Sequence, residues 1–306
     1  GGGAMVVQNA GRIRNKIKRT EVYQKLKGLK KTTRRKLRAL RSKEEEELGA
    51  AAAKQVPRTV ETTRVPDHTV VEEGDTEVLG DEADDELARF WTNAQRPKIM
   101  VTTRPKPTQK IFPLIGDLMQ LVPNMYYHPR RDYRVQQICE YARNKRFTHL
   151  VVLNERNKKP SGFMVSVLPE GPTAYFRCSS FVEGRRIKGH GRPTAHVPEL
   201  ILSRMDTRVG RRLGRILGSM FPHQPELEGR QVVTFRNMRD YVFVRHHRYI
   251  YQRGEGGKTR ARLQELGPRM TLRPAWVLRN AMDASPPERE YEWRKVKADS
   301  RRKFHL

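Results

Sequence analysis

The residue types best suited to chemistry concentrate between Gly229 and Tyr251, GRQVVTFRNMRDYVFVRHHRYIY. Arg236, Arg239, Arg245 and Arg248 interleave there with Tyr241, Phe243, Tyr249 and Tyr251. A guanidinium fork holds phosphate oxygens in pairs, and aromatic rings stack on unpaired bases, so this mixture suits a polyanion that carries bases. It does not suit bond-breaking chemistry. GxSxG, HExxH and paired-carboxylate patterns are all absent. His246 and His247 are adjacent in a strand-like run and so point to opposite faces, while His190 and His196 have no matching carboxylate or Cys set. Catalysis has no support, and no metal or cofactor is implied.

The element that must position these groups reads as a β-hairpin. Val232 to Phe235 form a β-branched and aromatic run, residues Asn237 to Asp240 turn the chain, and Tyr241 to Val244 begin the return. Alternation puts Tyr241, Phe243, Arg245, His247, Tyr249 and Tyr251 on one side, and Val242, Val244, His246, Arg248 and Ile250 on the other. For the aromatic rings alone, burial in a core is the commoner fate. The density of arginines favours a surface that serves an anion.

Two further basic constellations stand upstream. A helix expected over Thr207 to Phe221 has a core stripe of Val209, Leu213, Ile216, Leu217 and Met220. Arg208, Arg211, Arg212 and Arg215 cluster beside that stripe, and Gly210, Gly214 and Gly218 leave a third face bare. Three glycines cost roughly 3 kcal/mol of helix propensity relative to Ala, so something should need the bare face, and close approach of another backbone is the candidate, either a neighbouring strand or an RNA sugar-phosphate. The loop from Arg185 to Thr194 carries Lys188, His190 and Arg192 between glycines, a pattern for phosphate contact or for a flexible connector. It lacks both the dinucleotide-binding fingerprint and a Walker loop.

The whole composition points the same way. The 306 residues carry a formal net charge of +28, with a pI near 10.6 and 36% hydrophobic residues. Between Lys98 and Arg273 there are 34 basic and 13 acidic residues, and most of the cations are Arg. Such an excess predicts nucleic acid or an acidic membrane surface as partner. No apolar run reaches 18 residues and no secretory signal pattern is present, so no spanning helix is expected. The first residue is Gly rather than Met, as at the boundary of a fragment. Cys139 and Cys178 form no CxxC pair and are expected as buried, reduced thiols.

Four segments follow from charge and periodicity. Residues 1–54 form a basic arm, disordered or helical on a partner, with 15 Lys and Arg against Glu21 alone from Arg12 to Lys43. Residues 55–96 form an acidic linker with a short helix expected over Glu86 to Trp91. From Val65 to Ala88 it holds ten acids and no Lys or Arg, without the spacing of a calcium loop. It is expected to screen or dock against a basic surface. Residues 97–274 alternate strands and helices as two successive α/β halves, with Leu150-Val151-Val152-Leu153 as a strand covered on both faces. Residues 275–306 form a polar C-terminal extension.

Several of these segments resemble the Brix-domain ribosome-assembly family. Gln55-Val56-Pro57-Arg58-Thr59, Pro97-Lys98-Ile99 with Thr102-Thr103, and Gly171-Pro172-Thr173-Ala174 are similar to its sequences. So are Gly229 to Phe235, Arg239-Asp240-Tyr241 and Arg248-Tyr249-Ile250, and the most specific piece is Leu263-Gln264-Glu265-Leu266-Gly267-Pro268-Arg269-Met270-Thr271-Leu272. The closing Ser300 to Leu306 resembles the C-terminus of one member. The resemblance implies a two-lobed α/β Brix domain, each lobe similar to the anticodon-binding fold of class II aminoacyl-tRNA synthetases. It also implies nucleolar, non-catalytic work on precursor rRNA of the large subunit, alongside other assembly factors and ribosomal proteins and away from membranes. The RNA-binding positions expected are Lys188, His190, Arg192, Arg208, Arg211, Arg212, Arg215, Arg236, Arg239, Arg245, His247, Arg248, Tyr249 and Arg269, the last a possible brace of the fold. The rival readings are a protein-interaction scaffold in the small-subunit branch of the same family, or an RNA-processing enzyme.

Overall fold

A computed structural model describes residues 14–48, 59, 69–71, 74–238, 241–253 and 259–293. The chain divides into two compact units, Gly1–Thr63 and Arg64–Leu306. In the first, α1 (Lys16–Leu48) is a long helix of good helix formers with no buried side chain among those described, as the scatter of its apolar residues predicts. The Gln55 to Arg58 and Ser300 to Leu306 segments of the family resemblance lie outside the described residues.

The second unit is built on one mixed sheet of 11 strands. Its strands are β1 (Ile99–Thr103), β2 (Met125–Tyr127), β3 (His149–Arg156), β4 (Lys159–Val167), β5 (Thr173–Val182), β6 (Glu199–Ser203), β7 (Gln231–Met238), β8 (Tyr241–Arg253), β9 (Thr259–Glu265), β10 (Arg269–Leu278) and β11 (Arg289–Glu292). Across the sheet they run β2-β1-β3-β4-β5-β10-β8-β7-β6, with β11 beside β10 and β9 beside β8. A parallel pair followed by antiparallel strands occurs twice, as β1-β3-β4-β5 and as β6-β7-β8-β10, and the two sets meet where β5 pairs antiparallel with β10. Sheet pairing continues past residue 274, because β10 runs to Leu278 and β11 pairs with it.

The helices are α2 (Thr76–Asp84), α3 (Ala88–Trp91), α4 (Phe112–Leu121), α5 (Val135–Asn144) and α6 (Arg208–Gly218). One face of the sheet carries the larger core. Leu114, Ile115 and Leu118 of α4, Leu213, Ile216 and Leu217 of α6, and Phe90 of α3 pack there on Val101, Val151, Phe163, Phe176, Val233, Phe235, Val242, Val244 and Leu272. On the other face a smaller core joins Ile138, Cys139 and Ala142 of α5 to Met100, Leu150, Val152 and Met164. That second core contains no residue of β6 to β9.

The bare glycine face of α6 has a protein explanation. A Cβ on Gly218 would stand 2.6 Å from the indole of Trp91 and 3.5 Å from Leu200 Cδ2, and one on Gly214 would stand 3.3 Å from Met205 Cγ. The glycines let α6 settle on β6 and on the aromatic anchor of α3. Both cysteines are free, and burial pushes the thiols of Cys139 and Cys178 up to about 12 and about 11.

Candidate nucleic-acid interface

Strand alternation decides which side chains face solvent on β7, β8 and β10. Val233, Phe235, Val242, Val244, Met270 and Leu272 enter the larger core, so their neighbours project from the opposite face, where α5 does not reach. Cross-strand pairing sets Arg236 opposite Phe243, Thr234 opposite Arg245, Val232 opposite His247 and Met238 opposite Tyr241. Phe243 in turn pairs with Thr271 of β10, and Arg273 pairs with Arg177 of β5. The result is a face on which cations and rings alternate both along and across strands. Arg239, expected in this cluster, lies outside the described residues.

Charge on this face is only partly neutralised. Arg236 and Arg177 are exposed, with no ion-pair partner among the described residues. Arg273 lies 4.2 Å from the centroid of the Trp293 ring, a cation–π contact that keeps its charge. Arg245 donates to the Val244 carbonyl at 2.8 Å and stands 3.9 Å from Glu265, and burial holds its pKa below the ordinary value. Arg269 donates to both oxygens of Glu265 at 2.7 and 2.6 Å, and these hydrogen bonds keep that carboxyl below its usual range. Arg269 therefore braces the start of β10. Burial lowers the pKa of His247 and favours its neutral ring. Tyr249 donates to Glu199, which pushes its pKa up to about 12 and fixes its hydroxyl, while its ring meets Tyr251 edge-on with centroids 5.3 Å apart.

Beyond the sheet, β8 and β9 continue as a two-stranded ribbon. Arg248 pairs there with Gln264, Ile250 with Arg262 and Gln252 with Arg260. Arg248 thus joins Arg260 and Arg262 on the reverse side of the ribbon, away from Arg245 and His247. The loop with Lys188, His190 and Arg192 is tied to the same strand, since the Gly191 amide donates to the Glu265 carbonyl at 2.9 Å. Lys188 and His190 are exposed, and His190 Nδ1 sits 3.1 Å from the Ile187 carbonyl.

The arginines of α6 are differently employed. Arg211 makes a paired contact with Glu82 at 2.6 and 2.9 Å, and Arg215 a paired contact with Asp85 at 2.7 and 2.5 Å. Arg212 bridges Glu86 and Glu290, with Asp85 at 3.5 Å. Glu82, Asp85 and Glu86 of the acidic linker lie across the row, so three of the four expected RNA contacts face carboxylates of the chain itself, while Arg208 is exposed.

Sequence reasoning missed Arg177, Arg273, Arg260 and Arg262. A usable signal exists for the first two: Phe176-Arg177-Cys178 and Leu272-Arg273-Pro274 each place one Arg between core-facing neighbours.

Comparison with known proteins matches this architecture to a family. The Brix domain model matches residues 104–276. A Brix domain-containing protein of Caenorhabditis elegans is 41% identical over 97% of this chain and 78% of its own length. Ribosome production factor 1 of Saccharomyces cerevisiae is 39% identical over 99% of this chain and all of its own, and that of Pongo abelii 39% identical over 96% and 84%. A solved structure described as a probable ribosomal biogenesis protein from Aeropyrum pernix K1 shares 19% identity, with a TM-score of 0.42 over 58% of this chain and 97% of that one. With its α/β sheet, its family match and these relatives, the chain belongs to the Brix-domain family.

Proposed function

We propose that the protein is a ribosome biogenesis factor that binds precursor rRNA of the large subunit and holds it while neighbouring RNA and proteins assemble. The reading rests on one observation above others: the face of β7, β8 and β10 opposite the larger core is uncovered by α2 to α6 and presents Arg236, Arg245 and Arg273 among Phe243, Tyr241 and Tyr249, with Arg177 of β5 beside Arg273. Cations track the phosphates and the part-exposed rings stack bases, with no bond made or broken. Each strand–helix–strand–hairpin set acts as one lobe, similar to the anticodon-binding fold. The nucleolus is the place of action, with other large-subunit assembly factors and ribosomal proteins as neighbours. The relatives named ribosome production factor 1 support the biogenesis role.

The test is a salt titration of binding to a large-subunit precursor fragment, paired with in-cell UV crosslinking. Contact with six to ten phosphates gives a slope of log K against log salt of about −4 to −9. Crosslinked peptides from β7, β8 and β10, carrying large-subunit precursor sequence, are the expected result. A shallow slope, crosslinks confined to residues 1–54, or crosslinks to small-subunit precursor would overturn the reading.

A further inference from the structure

The acidic segment before α3 is attached in an unusual way. From Leu87 onward the chain is anchored in the core, with Leu87 0% and Phe90 1% exposed. Immediately before it, α2 buries no residue at all, and Leu79 is half exposed. What holds α2 in place is charge. Glu82 and Asp85 occupy the forks of Arg211 and Arg215, and Glu86 that of Arg212. The backbone adds a short antiparallel bridge of Val70 with Thr207, with the Val71 amide donating to the Asp206 carbonyl at 2.8 Å. Packing between the two helices is incomplete, leaving a groove of about 250 Å³ bordered by Glu77, Asp81, Arg208 and Arg211.

Paired carboxylate oxygens on successive guanidinium forks reproduce the way phosphates line up on an arginine row. The Arg211–Glu82 and Arg212–Glu86 pairs are part exposed and so sensitive to competing anions, while Arg215 and Asp85, 12% and 11% exposed, form the more enclosed pair near the core-anchored Leu87. Leu87, Phe90 and Trp91 would retain the tether after such a segment lifts.

We propose that the arginine row of α6 is a second RNA phosphate-binding surface, and that the segment from Asp75 to Glu86 covers it as a phosphate mimic which RNA displaces. This rests on the RNA-binding reading above and adds to it a site and its regulation. In the free protein, binding begins on the uncovered sheet face. A sufficiently long RNA then competes α2 away and gains contacts to Arg208, Arg211, Arg212 and Arg215.

The experiment uses the full chain and two charge-matched variants. Glu82→Gln/Asp85→Asn/Glu86→Gln removes the carboxylates that engage the arginines, and Asn at 85 keeps the side-chain oxygen that accepts from the Leu87 amide at 3.0 Å. Glu77→Gln/Asp81→Asn/Asp84→Asn removes the same charge from carboxylates with no ion-pair partner among the described residues. Binding of a large-subunit precursor fragment is measured against salt, and hydrogen exchange of α2 with and without that RNA. The first variant should bind about tenfold tighter, with a slope steeper by about 2 to 4 for three or four added phosphates, while the second stays within about twofold of the parent. RNA added to the parent should accelerate exchange in α2. Equal tightening in both variants, no tightening in the first, or an α2 that stays protected in the RNA complex would overturn the proposal. If the parent still binds RNA steeply in those cases, the sheet-face reading survives. If the parent does not bind, both fall.

Discussion

The two halves of the sheet share a strand order and differ in what lies on their outer face. On the first half α5 covers that face, and β3 and β4 are buried on both sides: His149 to Leu153 and Gly162 to Val167 are all buried. On the second half nothing equivalent to α5 occurs among the described residues, and β8 alternates instead, with Val242, Val244 and His246 buried and their neighbours partly exposed. The same scaffold therefore yields a closed layer and an open one. Burial spends apolar residues on both sides of a strand, whereas an open face leaves every second position for charge and rings, and Arg236, Arg245 and Phe243 fill it. What distinguishes the covered half from the open half here is one helix and the alternation it makes unnecessary.

The sharpest break of this comparison is on stability. Leu150 on β3 is fully buried beneath α5, and Leu150→Ala should cost about 2–5 kcal/mol in urea unfolding. Arg236→Ala, on the open face of β7, should change stability by no more than about 0.5 kcal/mol. Comparable losses from the two would mean that the second face is covered after all.

A second effect is shared by both halves and comes with acid. Burial pushes His149 of β3 down to about 3 and His246 of β8 down to about 4. Below an ordinary histidine pKa of about 6.5 the unfolded chain takes up protons that the folded chain refuses. Stability is therefore fully present above about pH 6.5 and falls on acidification, by about 1.4 kcal/mol per pH unit for each ring, until the folded pKa is reached. His149 is held from both sides, Nδ1 to Thr148 Oγ1 at 2.8 Å and Nε2 to Ser219 Oγ at 3.0 Å. Unfolding curves at pH 7 and pH 5 check the slope, and His149→Gln should flatten it. A slope unchanged by that substitution would exclude His149 as the source.

Much of this contrast was legible in the residues. The unbroken run Leu150-Val151-Val152-Leu153 announced a doubly covered strand, and the interleaved Tyr241-Val242-Phe243-Val244-Arg245 a singly covered one. The helix over Thr207 to Phe221 is visible from its stripe, and the structure adds a Thr207 cap, whose hydroxyl accepts from the Gly210 amide at 3.0 Å. What periodicity does not carry is who pairs with whom. An arginine cluster reads alike whether its partner is a phosphate or Glu82, Asp85 and Glu86 from more than a hundred residues upstream. Helix α2 was read as linker because acids and a mid-helix Gly80 give no apolar stripe, and its stabilisation comes from the Asp75 cap and from α6. Alternation already sets Arg245 and Arg248 on opposite faces, and strand pairing keeps them there, so only nearness in sequence joins them in one cluster.

That last distinction supplies the smallest and most local test. Arg236 and Arg248 are cations of one hairpin, the first on the open sheet face and the second on the reverse of the ribbon with Arg260 and Arg262. If RNA lies on the open face, Arg236→Ala removes about one phosphate contact. The salt slope should then become shallower by about 0.7–0.9. Arg248→Ala should leave the slope unchanged for a fragment short enough to occupy the sheet face alone. Equal loss from the two substitutions would mean that RNA wraps the ribbon, and the binding surface would then be set by the projecting strands β8 and β9, not by the missing cover over the second half.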